Sequence, residues 1–290
     1  MRYTLFAIAG VAALLIAFAP AASAQLVIGK EPGLEVKEVT AGPGWKTCPR
    51  CQNNAHIKAA KDTYKVQGHA FNPKDLSGVW GNNGIPFDFK TKPPFTEYGK
   101  KLWEATQAEV KHPGVPATNG GEGGKDPMMH CDPLGYPRAL QYNYGMEFIM
   151  LPDRILQVFE WGGYHRTIWI DGRKLPADPP QARWFGYTVG HWEGNTLIVE
   201  SNGYEDRSWI DEDRPSRQRG IPHSDEMTIT ERWTRPNYGT LDVEMTIKDP
   251  KVFTKTWVSK GTTDLRPGTE LSEYYCVPSD SEQYNTELTR

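Results

Sequence analysis

The chain has 290 residues and a formal net charge of −3, with 33 Lys+Arg against 36 Asp+Glu. That balance argues against a nucleic-acid partner, which would require a basic stripe. No Gly-x-Ser-x-Gly elbow, P-loop or dinucleotide fingerprint occurs, which disfavours common serine hydrolases, NTPases and nicotinamide enzymes.

Residues 1–24 read as a secretory signal. Arg2 precedes an apolar run from Leu5 to Phe18, and Ala22-Ser23-Ala24 fits the small-residue cleavage rule. A retained anchor is the alternative, but the run is shorter than the roughly 20 residues of a spanning helix. Cleavage would leave residues 25–290 and remove one Arg and no acid. The mature chain is expected to be periplasmic or secreted, with no stable membrane insertion.

Residues 25–75 form a polar arm with a Gly42-Pro43-Gly44 turn and a helix expected over Asn54–Tyr64. Four cysteines in an exported chain point to disulfides, most economically Cys48–Cys51 and Cys131–Cys276. Zinc is disfavoured because Cys131 and Cys276 lack paired ligand spacing. Haem attachment is excluded by Gln52, which stands where a His is needed. No metal and no organic cofactor are expected.

The main domain, taken as 76–290, opens on a strand within Asp75–Trp80. A helix follows from Thr96 to Val110, with Thr96 as its cap and Gly99 as a weak point. Residues 112–127 are a Gly/Pro-rich loop. From Met146 the chain writes strand after strand: Met146–Leu151, Arg154–Trp161, Tyr164–Asp171, Trp184–His191 and Thr196–Asn202, then Val252–Lys260 and Glu270–Val277 after a hairpin. That hairpin, Glu226–Ile247, alternates apolar and polar residues around a Pro236–Gly239 turn. The expected fold is mainly β: an antiparallel up-and-down barrel of about 8–10 strands with one helix. A sandwich is the second choice.

Glu231 breaks the hairpin's alternation by standing on the apolar face between Ile229 and Trp233. Burying it alone would cost several kcal/mol. Arg166 falls on the inner face of its strand together with Tyr164, Ile168 and Ile170, so it is the natural partner, either as a buried ion pair or as a ligand anchor. The next strand is phased with Phe185, Tyr187, Val189 and His191 inward. Residues 203–223 are too long an unstructured connection to be incidental. Trp209 and Ile210 mark them as a lid rather than a solvated loop. His191 and His223, with Asp206 and Asp211, are the candidate acid–base groups, because imidazole titrates near neutral pH.

Four ordered stretches, DLSGVW (75–80), CDPLGYPR (131–138), WEGNTLIV (192–199) and PHSDEMTITER (222–232), resemble a large group of secreted bacterial proteins of unassigned function. The resemblance spans about residues 75–277 and implies a lipocalin-like (calycin-type) barrel with no settled activity.

Three functional expectations follow. The first is a periplasmic, cofactor-free acid–base enzyme of the lyase, isomerase or hydratase type acting on a small apolar or aromatic compound. Arg166, Glu231, Tyr164, Tyr187 and Trp209 would bind the substrate, while His223 or His191, supported by Asp206 or Asp211, would move the proton. The alternative is a non-catalytic carrier of a hydrophobic ligand. A scaffold using the 25–75 arm is a third. Oligomeric state is not legible.

Overall fold

In the computed structural model the described residues are 71–81, 84–85, 92–111, 113, 123–212, 218–266 and 269–277, all within the compact unit Val39–Arg290. The expected signal segment, the 54–64 helix and the Cys48–Cys51 pair lie outside them. Nine strands make the main sheet: β1 (Gly78–Trp80), β2 (Met146–Met150), β3 (Arg154–Phe159), β4 (His165–Trp169), β5 (Tyr187–Glu193), β6 (Thr196–Asn202), β9 (Thr228–Asn237), β10 (Thr240–Lys248) and β11 (Trp257–Asp264). They neighbour one another in that order. Just beyond β11, Leu265 bridges Trp80, Gly81 N–H donates to the Asp264 carbonyl at 2.8 Å and Arg266 N–H to that of Val79 at 2.8 Å. These bonds bring the two edge strands together, so the sheet curls into a nearly closed barrel and hides its edges.

A ring of nine strands cannot alternate in direction all the way round. One neighbouring pair must run parallel, and it is β4 with β5, joined at the single register pair Trp169↔Val189. By contrast, β5 and β6 share seven register pairs, from Tyr187↔Asn202 to Glu193↔Thr196. Parallel neighbours need a crossover rather than a tight turn, and residues 170–186 supply it. The expected up-and-down order therefore holds except at this seam.

The barrel interior is a packed core. Trp80, Phe148, Ile155, Ile168, Leu197, Trp233, Val243 and Met245 are all almost fully buried, and Phe148 and Trp233 meet edge to face at 5.4 Å. The helix, α1 (Glu97–Ala105), is shorter than expected but begins where its cap residue dictates. Thr96 Oγ1 accepts from Gly99 N–H at 3.0 Å. Gly99 proves to be a contact point, because a Cβ there would stand 2.2 Å from the Val252 carbonyl oxygen.

Three expectations are corrected. The described residues of 203–223 form no free lid: β7 (Trp209–Glu212) and β8 (Gly220–Pro222) pair as a separate two-stranded sheet. That hairpin is pinned to the end of α1, where Gly220 N–H donates to Thr106 Oγ1 at 3.0 Å and the Thr106 hydroxyl lies 3.1 Å from the Gly220 carbonyl. Glu270–Val277 is not a strand but a strap with one bridge, Trp161↔Tyr274. It is tied down by the Cys131–Cys276 disulfide, which closes a loop of 145 residues and stabilises by about 4–5 kcal/mol in the loop-entropy picture. The last strand is Trp257–Asp264 rather than 252–260, because residues 249–253 turn around the Asp249 carboxylate, which accepts from Val252 N–H at 3.1 Å.

Candidate functional site

The expected Arg166–Glu231 pair forms at the centre of the barrel. Arg166 Nη1 donates to Glu231 Oε1 at 2.8 Å and Nη2 to Oε2 at 2.7 Å, with both side chains at most 1% exposed. Three further side chains complete the network. Tyr136 O–H and Trp233 Nε1–H donate to Glu231 Oε2 at 2.6 and 2.8 Å, and Arg166 Nε–H donates to Gln157 Oε1 at 2.6 Å. The guanidinium also covers the Tyr136 ring, 3.8 Å from its centre. Burial works against the Arg166 charge, and Glu231 overrides it, so its pKa rises. Burial likewise pushes the Tyr136 phenol far up, keeping it a neutral donor. Both oxygens of Glu231 are occupied, and the pair spends its hydrogen-bonding capacity on its own surroundings.

A second buried pair repeats the pattern. Arg138 donates to both oxygens of Asp126 at 2.7 and 2.5 Å. The CDPLGYPR stretch therefore contributes Tyr136 to one network and Arg138 to the other. Sequence reading missed Tyr136, Gln157, Trp233, Asp126 and Arg138; Tyr136 meets a partner 95 residues away, and the nearer contacts of the others depend on how the strands and the 126–138 segment pack. The only available signal was the density of special residues between 131 and 138.

His223 is 1% exposed. Its Nδ1 lies 3.0 Å from the Ser224 carbonyl, which can only accept, so Nδ1 carries the proton. Its Nε2 lies 2.7 Å from Ser208 Oγ, and burial lowers its pKa, favouring the neutral ring. Ser208 is sealed by Gly135 (φ +71°), where a Cβ would stand 2.4 Å from that of Ser208. Asp206 is exposed, whereas Asp211 is buried in β7. Trp209 packs over Gly220, where a Cβ would come within 2.0 Å of its ring. His191 sits on the outer face with its side chain 56% exposed, 3.5 Å from Glu193. The four expected acid–base groups are thus not assembled around one opening.

The phase expected for β5 is corrected. Gly190 pairs with Val199, which pairs in turn with the inward Glu231, so Thr188, Gly190 and Trp192 face in while Tyr187, Val189 and His191 face out. The cause is Gly186 at φ +66°. It leaves Phe185 in the core and shifts the alternation by one residue, as a glycine can in this left-handed region.

A cavity of about 1080 Å³ opens at the β4–β5 seam, beneath the 170–186 crossover. Thr167, Trp169, Tyr187 and Val189 line it from the strands, together with Tyr164 and Trp184. Of the expected binding residues, Arg166, Tyr164 and Tyr187 line it and Glu231 and Trp209 do not. Arg173 lies flat on Trp169, 3.5 Å from the ring centre, and Arg183 on Tyr187 at 3.9 Å. The crossover went unread in the sequence, although a connection of this length between strands carries the same signal as 203–223.

Among the described residues, no group of three or more His, Cys, Asp or Glu is placed to hold a metal ion. No helix among them is long and apolar enough to cross a membrane. Compared with known protein families, curated proteins and solved structures, the chain matches none.

Proposed function

We propose that this protein is an exported, non-catalytic binding protein that carries a small molecule with a flat, apolar body in the seam cavity. The observation that carries this reading is the cavity itself. Its volume, about 1080 Å³, is of the order of known ligand pockets, and its aromatic walls suit apolar ligands. A parallel seam with one register pair leaves room between strands that a fully laddered pair would fill.

The carrier reading is favoured over acid–base catalysis by the state of the candidate groups. His223 has both ring nitrogens engaged inside the fold, His191 stands on the outer face, and Arg166 and Glu231 are committed to each other. The signal-like residues 1–24 and the Cys131–Cys276 disulfide support an oxidising compartment outside the cytoplasm.

Titration with the fluorescent dye anilinonaphthalene sulfonate tests the reading, because Trp169 and Trp184 in the wall act as energy donors to a dye bound beside them. Saturable one-to-one binding is expected, and Val189→Trp, which fills the cavity from the strand side, abolishes it. Absence of binding, or binding unaffected by Val189→Trp, overturns the proposal.

A further inference from the structure

We propose that the ligand of the seam cavity is an organic anion: a flat apolar body bearing a carboxylate, sulfonate or phosphate group bound at Lys174 and Arg183. This rests on the binding reading above and names the chemistry that reading leaves open.

The cavity wall is unbalanced in charge. His165, Arg166, Arg173, Lys174 and Arg183 line it, and among the described residues no Asp or Glu does. Two of these cations are already neutralised, Arg166 by Glu231 and Arg173 by Asp171, each at 2.7 Å. Lys174 and Arg183 are within ion-pair distance of no carboxylate among the described residues. Glu205, whose backbone N–H meets the Arg183 carbonyl at 2.9 Å, directs its carboxylate to Arg207 at 2.9 Å instead. The whole chain has a net charge of −3, so a cavity with two uncompensated cations is a local reversal of sign. Such a reversal draws anions.

Arg183 is also held in place. Its backbone N–H donates to the Gly203 carbonyl at 2.9 Å, and its own carbonyl accepts from Gly186 and Glu205 at 3.1 and 2.9 Å. Stacking on Tyr187 fixes the guanidinium plane and leaves its N–H edges to donate, the geometry that favours planar oxyanions. One hydroxyl of the lining, on Tyr187, is buried with no hydrogen-bond partner among the described residues. The Tyr187 hydroxyl, on the outward face of β5, is a further donor for an oxyanion, and Trp184 and Val189 provide apolar surface beside it.

The test compares anilinonaphthalene sulfonate with N-phenylnaphthylamine, the same ring system without the sulfonate. In the full chain the anionic dye is expected to bind at least roughly ten-fold more tightly, the scale of one charge-assisted contact. The Lys174→Gln/Arg183→Gln double variant removes that advantage, read as the ratio of the two affinities, and added salt weakens only the anionic dye. Equal affinities for the two dyes, both lost in Val189→Trp, would overturn the anion assignment and leave the binding reading standing. Failure of both dyes to bind would remove the binding reading itself. A double variant that retains the full sulfonate preference places the anion elsewhere and also overturns the assignment.

Discussion

Arg166 on β4 and Glu231 on β9 meet through two parallel hydrogen bonds of 2.8 and 2.7 Å, although neither strand is paired with the other in the sheet. The contact reaches across the barrel interior and ties its two sides together. Removing one partner leaves the other charged and buried, which costs more than the pair itself contributes. Glu231→Gln is therefore expected to lower unfolding free energy by about 3–5 kcal/mol, read by urea denaturation. Arg166→Met combined with Glu231→Leu should lose less than the sum of the two single changes, since no charge is stranded. A Glu231→Gln protein within about 1 kcal/mol of the parent would mean that the pair does not hold the interior.

His223 gives the fold a pH dependence with a defined sign. Burial lowers its pKa below the ordinary 6.5, so the folded site refuses a proton that the unfolded chain accepts. Its contribution is fully present above pH 6.5 and is lost as pH falls from there towards the folded value. The loss is about 1.4 kcal/mol per pH unit for one group within that window. Melting temperatures measured from about pH 8 down to about pH 5 should fall for the parent. They should fall less for His223→Gln, which starts less stable at the upper end. Equal slopes in the two proteins would assign the acid sensitivity to other groups.

Gly99 tests whether α1 is docked as described. In an exposed helix, Gly→Ala would stabilise by up to about 1 kcal/mol. Here the new methyl group meets the Val252 carbonyl at 2.2 Å, a backbone atom that cannot rotate away. Gly99→Ala is expected to destabilise by about 1–3 kcal/mol, whereas Lys100→Ala on the exposed side stays within about 0.5 kcal/mol. Thermal unfolding of the two variants distinguishes the cases, and a stabilised Gly99→Ala protein would contradict the contact.

Much of the frame was legible because it depends on local order. The 226–247 hairpin is visible as alternation, and the misplaced carboxylate at 231 stands out against it. Arg166 could be matched to it because its own strand alternates without interruption, from exposed His165 to buried Ile168. Where a glycine intervenes, the inference fails. Gly186 in the left-handed region inverts every side chain from Tyr187 to His191 relative to the reading by period, and alternation alone cannot reveal a backbone angle. Residues 203–223 were misread for a related reason. Two short strands of four and three residues are too brief to show a period, and their docking on Thr106 is a long-range contact.

Local composition and spacing in this chain determine most of the longer strands, where α1 is capped and which buried charge needs a partner, since each follows from neighbours within a few residues. The closure of nine strands, the parallel seam that parity then imposes and the cavity beneath its crossover are decided only in the tertiary structure. Their cause is the meeting of distant segments: Trp80 with Leu265, Trp169 with Val189, and Cys131 with Cys276. Glu231 belongs to both levels. Its own strand marks it as out of place, and the fold supplies the Arg166, Tyr136 and Trp233 donors that make it stable there.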